Sequence, residues 1–356
     1  MPHRNIVVIG ASAGGVETSK ELVSYLPPDL AASLFVAMHF PANSVSILPS
    51  ILNRCGTLPA LHPEDGTAIE PGRIYVAPPN YHMELRRRTS VSGDQDASGY
   101  IVLDQGPREN GYRPAIDFLF RSAARTYHQR VIGVILSGML DDGTAGLMQI
   151  KARGGVVLVQ DPQEALFSGM PNSAIANVKA DAVLPIAKLA AHLVEIIHET
   201  VPEEVWVANE LNNERERERV AQEKSAAEQG ERPDSASPFT CPECGGVLWE
   251  LRDRNLLRFR CHVGHVYSPD SMLSEQANDL ERALWSGVRA LEERAALARR
   301  MANHAHEQKR WISEAHFLER AEETAYHAQQ LRQVIAQQTN GKPNKPGDLD
   351  DLLEEA

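Results

Sequence analysis

The segment from Asn5 to Gly15 constrains this chain most: a short apolar run, Ile6 to Ile9, leads straight into Gly10, Ala11, Ser12, Ala13, Gly14 and Gly15. A run of this kind, rich in β-branched residues, is read as a buried strand, and glycines placed directly after it permit a tight strand-to-helix turn. Gly10 to Gly14 fits G-x-S-x-G, a pattern that holds a serine hydroxyl, here that of Ser12, clear of the backbone. Amides at the start of the following helix could also support an oxyanion. Alone the pattern is weak, because glycine-rich turns also bind phosphate or simply pack closely.

Two later segments add to it. Ser33 to Met38 reads as a second buried strand and ends on His39, followed by Phe40 and Pro41, where proline stops regular pairing. Arg130 to Leu136 reads as a third and opens into Ser137, Gly138, Met139, Leu140, Asp141, Asp142 and Gly143. In a parallel sheet wound with helices, the loops after the strands open on one edge, where such folds bind and react with ligands. A serine, a histidine and an aspartate can converge there. Histidine would then accept the serine proton, and a carboxylate would fix its tautomer. Taken singly, His39 could equally be a hydrogen-bonded core residue and the aspartate pair a helix cap. The order Ser, His, Asp differs from that of α/β-hydrolases, but triads are recognised by geometry.

Residues 5 to about 195 resemble the catalytic domain of the chemotaxis protein-glutamate methylesterases, the CheB family. The matching stretches are Gly10 to Gly15, Met38-His39, Gly72 to Pro78, Asn80 to Met83, Gly106-Pro107, Arg113-Pro114 with Asp117, Leu136 to Met139 with Asp142-Gly143, and Gly169 to Pro171. The resemblance implies an α/β fold, a doubly wound, mostly parallel sheet with helices on both faces. By position it makes Ser12 the nucleophile, His39 the general base and Asp142, in preference to Asp141, the orienting carboxylate. It gives the Met139 amide to an oxyanion hole. It sets His82 and Arg113 in stretches like the rim of the site, with a surface or structural duty for His82 weighed equally.

Departures from the family are also visible. Most such enzymes carry an N-terminal receiver domain that restrains the esterase until phosphorylated, whereas here the esterase stretch begins at the initiator end. Activity is therefore expected to be constitutive or controlled elsewhere. Leu140-Asp141 replaces a more usual glycine-containing turn, which bears on the choice between the two aspartates.

A chain of 356 residues, 42% of them hydrophobic, can hold more than one domain. No apolar run is long enough to cross a bilayer and no signal-like segment opens the chain, so a cytoplasmic location is expected, without membrane insertion. Lys and Arg number 36 against 48 Asp and Glu, a formal charge of -12 that argues against nucleic acid as a partner. The expected division is an esterase domain over 1–200, a charged linker over 201–238, a metal module over 239–268, a helical hairpin over 269–340 and an acidic tail over 341–356. Strand candidates Arg73 to Ala77, Tyr100 to Asp104, Gly155 to Gln160 and Ala182 to Pro185, with a helix from Ile186 to His198, complete the first of these.

Three of the four cysteines cluster in Cys241-Pro-Glu-Cys244 and Cys261-His262-Val-Gly-His265. Two thiolates on one knuckle, with a cysteine and a histidine on a second, have zinc-ribbon spacing. The expected ligands are Cys241, Cys244, Cys261 and His265, with His262 as the alternative fourth, and a closed set of this kind makes the zinc structural. A redox dithiol at Cys241 and Cys244 is the rival. Cys55 stands apart and reads as an ordinary buried thiol.

Leu280, Leu284, Val288, Leu291, Ala295 and Ala298 form an apolar stripe on a first C-terminal helix. Trp311, Ala315, Leu318, Ala325 and Leu331 do so on a second, spanning about Gln308 to Gln337, with a bend over Ala302 to His306. The histidines at 304, 306, 316 and 327 are read as a solvated face rather than a second metal site.

Residue chemistry alone supports serine-dependent acyl transfer. The resemblance implies hydrolysis of glutamate γ-methyl esters on chemoreceptor-like proteins, and also permits glutamine deamidation, with no catalytic cofactor. A non-catalytic scaffold retaining the fold as a binding module is the alternative from another class. A nucleotide site at Gly10 to Gly15 is disfavoured, because the second glycine of G-x-G-x-x-G is missing.

Overall fold

In the computed structural model the described residues are 3–40, 45–87, 99–201, 236–253 and 256–340. Most of the expected linker and all of the expected acidic tail lie outside them.

The apolar runs form a parallel sheet. Its strands are β1 (Ile6–Ala11), β2 (Ser33–Met38), β3 (Ala60–Leu61), β4 (Ile74–Val76), β7 (Val131–Ile135), β8 (Val156–Gln160) and β9 (Ala182–Leu184), in the order β3-β4-β2-β1-β7-β8-β9. Between β4 and β7 the chain forms an antiparallel pair, β5 (His82–Arg87) with β6 (Gly99–Asp104). The stretch Tyr100 to Asp104 is thus a strand, but one outside the main sheet.

Alternation along β1 shows why the strands read as continuous apolar runs: Val7, Ile9 and Ala11 enter one core, Ile6 and Val8 the other. The first core is covered by α1 (Gly15–Ser24), α2 (Leu48–Cys55) and α6 (Ile186–Ile196), through Leu22, Leu52 and Leu189 among others. The second is covered by α3 (Ile116–Tyr127), α4 (Thr144–Ala152) and α5 (Gly169–Asn177), through Phe120, Leu147 and Met170. Cys55 is only half-buried, at the edge of the first core. The chain leaves β1 for β2 on one side and returns to β7 on the other, so β2, β1 and β7 adjoin at the switch point of the sheet.

Strands β10 (Ala236–Thr240), β11 (Val247–Asp253), β12 (Leu256–Cys261) and β13 (Val266–Tyr267) form a small antiparallel sheet. It lies in one compact unit with the large sheet, spanning Met1–Leu273. Its buried cluster is small: Cys241, Leu248, Phe259, Cys261, Tyr267 and Met272. The first turn of α7 (Pro269–Glu307) closes this unit.

The second unit, from Ser274, holds the rest of α7 and α8 (Trp311–Asn340). The bend does not fall at Ala302 to His306, because Ala302 and Ala305 are buried and α7 continues to Glu307. The chain reverses at Gln308 to Arg310, with Lys309 in the left-handed region at φ 57°. The buried seam of α7 is Val288, Ala295, Ala298, Ala302 and Ala305, and that of α8 is Ala321, Thr324, Ala328 and Ile335. The face expected on α8 is corrected: Trp311 and Leu318 are exposed, as is Leu280 on α7. Small side chains at heptad spacing bring helices close together, which favours the alanine seam over the larger residues. His304, His306, His316 and His327 are all exposed.

Candidate active site

Each of the three chemical groups follows one of the adjoining strands. Ser12 leaves β1 in a turn whose Gly14 has φ 74°, a conformation costly for any residue with a Cβ. A Cβ at Gly14 would also meet Ser137 Oγ at 2.8 Å. His39 leaves β2, and its amide bonds the Ala11 carbonyl, which ties the ends of the two strands. Asp142 leaves β7 just before Gly143, at φ 98°.

Ser12 Oγ lies 3.0 Å from His39 Nδ1, and His39 Nε2 lies 2.8 Å from Asp142 Oδ2. The His39 and Asp142 side chains are 6% and 2% exposed, so the chain of hydrogen bonds is shielded from water behind a half-buried serine. With the proton on Nε2, donated to Asp142, the Nδ1 lone pair faces the serine hydroxyl.

Asp142 is surrounded by donors. Besides His39, its oxygens accept from the amides of Ile116 at 2.8 Å and Asp117 at 3.1 Å, and from Asn110 Nδ2 at 3.0 Å. The two amides begin α3, so the positive end of that helix also favours the anion. Burial pushes the Asp142 carboxyl up, but the His39 hydrogen bond and these amides outweigh it and hold the group down at about 2. Its neighbour Asp117 goes the other way. Burial, then the charge of Asp142, pushes it up to about 7.

Asp141 faces elsewhere: its Oδ1 accepts from Ser268 Oγ at 2.7 Å and Ser271 Oγ at 3.2 Å. Of the two aspartates, only Asp142 reaches the histidine. Leu140, just before the pair, sits in the left-handed region at φ 60°.

Sequence reasoning did not single out Tyr112, whose ring lies 3.6 Å from that of His39 and nearly parallel to it. Nor did it single out Asn110, which lies in a loop without periodicity.

The Met139 residue is 56% exposed, and no acceptor among the described residues takes its amide. The Gly138 amide, by contrast, is taken by the Phe167 carbonyl. A Cβ at Gly138 would lie 3.0 Å from Ser12 Cβ, so this turn sits directly against the serine.

His82 is not at a rim. It is fully buried, its Nε2 bonds the Pro107 carbonyl at 2.9 Å, its Nδ1 accepts from the Ala115 amide, and its ring stacks on Phe118. Burial lowers its pKa, and it acts as a strut between the loop at Pro107 and the start of α3. Arg113 is also committed internally, donating to Asn80 Oδ1 and to the carbonyls of Gln105 and Gly106.

A second cluster is formed by Cys241, Cys244, Cys261 and His265, whose ligand atoms all lie within 4.8 Å of one another. Cys244 Sγ is 3.7 Å from Cys261 Sγ, and His265 Nδ1 is 3.4 Å from Cys261 Sγ and 3.6 Å from Cys241 Sγ. Four ligands with metal–sulfur bonds of ~2.3 Å would set their sulfurs about 3.8 Å apart, so the spacing fits a tetrahedral ion. His262 is exposed and outside the cluster. Glu243, unnoticed between the first two cysteines, lies 3.4 Å from His265 Nε2, where it can orient the ring.

The CheB methylesterase family model matches residues 7–193, slightly more than half of the chain. The chain belongs to the CheB methylesterase family. A protein-glutamate methylesterase/protein-glutamine glutaminase of Methanosarcina mazei is 35% identical over 194 residues, which are 54% of this chain and 52% of the relative. The corresponding Thermotoga maritima protein is 35% identical over 192 residues, 54% of each chain. This chain thus spans about half the length of the curated relatives it matches. The crystal structure of the Thermotoga maritima CheB methylesterase catalytic domain aligns with a TM-score of 0.51 at 35% identity, covering 54% of this chain and 98% of that domain. The CheB match ends before the Cys/His sheet begins.

Proposed function

We propose that this protein is a protein-glutamate methylesterase that hydrolyses glutamate γ-methyl esters on chemoreceptor-like signalling proteins and also deamidates glutamine side chains. The observation that carries this reading is the unbroken hydrogen-bond chain from Ser12 through His39 to Asp142, set at the switch point of a CheB fold. Ser12 Oγ attacks the ester carbonyl carbon as its proton passes to His39 Nδ1. Asp142 stabilises the resulting imidazolium. The tetrahedral oxyanion is met by the Met139 amide, and by that of Ala13 directly after the nucleophile. Collapse breaks the bond to the methoxy oxygen, which takes the proton from His39 and leaves as methanol. A water then attacks the acyl-enzyme, giving its proton to His39, and Ser12 departs reprotonated with glutamate as the product.

The Cys/His cluster is proposed to hold a structural zinc ion through Cys241, Cys244, Cys261 and His265. All four positions of a tetrahedron are filled by protein, so the ion would hold the fold of its small sheet and no water for catalysis. A cytoplasmic setting suits the reduced thiols such a site needs. No described helix is long and apolar enough to cross a membrane.

The test is methanol release from a methylated receptor, together with labelling by a fluorophosphonate. Release and labelling that both vanish in Ser12→Ala support the esterase. Absence of both in the unaltered protein would favour a scaffold that keeps the fold for binding.

A further inference from the structure

The loop from Arg108 to Tyr112 is gripped by the Cys/His module. The Asn110 amide donates to the Val266 carbonyl at 2.7 Å, and the Val266 amide donates to the Arg108 carbonyl at 3.3 Å. These form a parallel bridge between Glu109 and Val266, one residue after the candidate ligand His265. The Asn110 side chain is held as well. Its Oδ1 accepts from the Ser268 amide at 3.0 Å, and its Nδ2 donates to Asp142 Oδ1 at 3.0 Å. A backbone N–H can only face the amide oxygen, so Ser268 fixes which end of Asn110 meets the carboxylate. Asn110 is 2% exposed, and no water competes for either bond.

Charge joins the two parts at the same place. Arg258 on β12 lies 3.6 Å from Glu109 Oε2, and Glu109 is paired with Arg121 of α3 at 2.6 Å. The module thus presents one cation to a buried group of carboxylates that includes Asp117 and Asp142.

We propose that Asn110 is a positioning residue for the triad carboxylate, and that the Cys/His module sets it through Ser268 and Val266. Metal occupancy of the cluster is then coupled to turnover at Ser12, about which the CheB match itself says nothing. This rests on the esterase reading. One hydrogen bond to a buried anion is involved, so its loss should slow acylation about 10- to 100-fold.

Asn110→Gly is the cleanest probe, because Asn110 sits at φ 53° and glycine keeps that backbone while deleting these two side-chain bonds and the longer one that Nδ2 donates to Asp117 Oδ2 at 3.4 Å. The readouts on the full-length, metal-loaded protein are kcat and KM for methyl-ester hydrolysis, and the rate of Ser12 phosphonylation, which needs no knowledge of the substrate. The expected result is a 10- to 100-fold fall in kcat and in phosphonylation rate with KM within about twofold. Stripping the metal with a chelator, or Cys261→Ser, should give a loss of similar size, and combining either with Asn110→Gly should add little. Should Asn110→Gly fail to fold, Ser268→Pro deletes the amide hydrogen offered to Asn110 and should slow phosphonylation in the same way, and to a greater extent than Ser268→Ala, which removes only the hydroxyl bonded to Asp141.

A phosphonylation rate within twofold of the unaltered protein in Asn110→Gly overturns the positioning role. Losses that multiply when metal stripping and Asn110→Gly are combined overturn the coupling. If Ser12 is labelled but no methyl ester is cleaved, the substrate reading fails while the Asn110 relay is still decided by labelling.

Discussion

The imidazole of His39 lies flat on the ring of Tyr112, with centroids 3.6 Å apart and planes inclined by 2°. Stacking fixes the tilt of the histidine, while Ser12 and Asp142 fix its rotation, so the ring is held in one orientation. In the proposed proton transfer the ring becomes cationic, and the aromatic face then offers it a favourable electrostatic surface.

Tyr112→Phe should therefore keep kcat within about threefold, whereas Tyr112→Ala should lower it by about tenfold, equivalent to a stacking contribution of about 1 kcal/mol. Steady-state kinetics on a methyl ester decide this, and equal losses in both variants would mean that the hydroxyl, not the ring face, matters.

Ser12→Ala and His39→Ala should each reduce turnover by roughly ten-thousandfold, since the members of a triad act as one unit. Ser12→Ala removes one hydroxyl from a half-buried side chain and should move the melting temperature by no more than a few degrees, while His39→Ala, which also removes the ring stacked on Tyr112 and the donor to buried Asp142, should cost more without unfolding the protein. Calorimetry beside the kinetics checks both halves, and a collapse of stability in either variant would reassign the residue to the fold.

Asp117 gives a pH signature. Its folded carboxyl is raised to about 7 by burial and by Asp142, above the value of about 3.9 for an exposed aspartate. Across that window the folded state keeps a proton that the unfolded state has lost, so the contribution is complete below pH 4 and is lost as pH rises through 7. Asp117→Asn stays neutral and keeps an acceptor for the Gly146 amide, which donates to Asp117 Oδ1. Its melting temperature should gain on that of the unaltered protein between pH 4.5 and 7 and then level off. A difference that stays flat with pH would place the Asp117 titration elsewhere.

One zinc ion per chain is expected by elemental analysis, falling toward zero in Cys241→Ser. Chelation should unfold β10 to β13, seen as loss of amide protection over 236–267, because the buried cluster of that sheet is too small to hold it alone. Protection unchanged after the metal is removed would show that docking on the large sheet suffices.

Ser12 and His39 were legible in the sequence because each lies directly beyond a run of apolar residues, and Asp142 because it lies in the turn that follows such a run, where a parallel sheet presents its chemistry. The two cysteine knuckles were legible from spacing alone. What escaped was whatever depends on contact between distant segments. Asn110 and Tyr112 lie in an aperiodic loop, and their partners are a strand and a helix start more than a hundred residues away, or a ring packed face to face. For His82 the sequence left a rim position and a structural duty level, because a place next to rim-like residues says nothing about which way a strand turns its side chains; the buried ring bonded to Pro107 and Ala115 favours the structural duty. The α7–α8 seam was misread for another reason. Alanine carries a weak hydrophobic signal, and Trp311 and Leu318 outshone Ala321 and Ala328 although the helices close on the smaller residues.

Asp141 and Asp142 are consecutive, yet one receives Ser268 and Ser271 at the head of α7 while the other receives His39. A dipeptide serving two masters cannot tolerate a frame slip. Deleting or adding one residue between Leu136 and Gly143 would hand each carboxylate to the wrong clientele, releasing Ser268 and Ser271 and disarming the imidazole in a single stroke. Length in this turn is therefore as tightly specified as the identity of either acid.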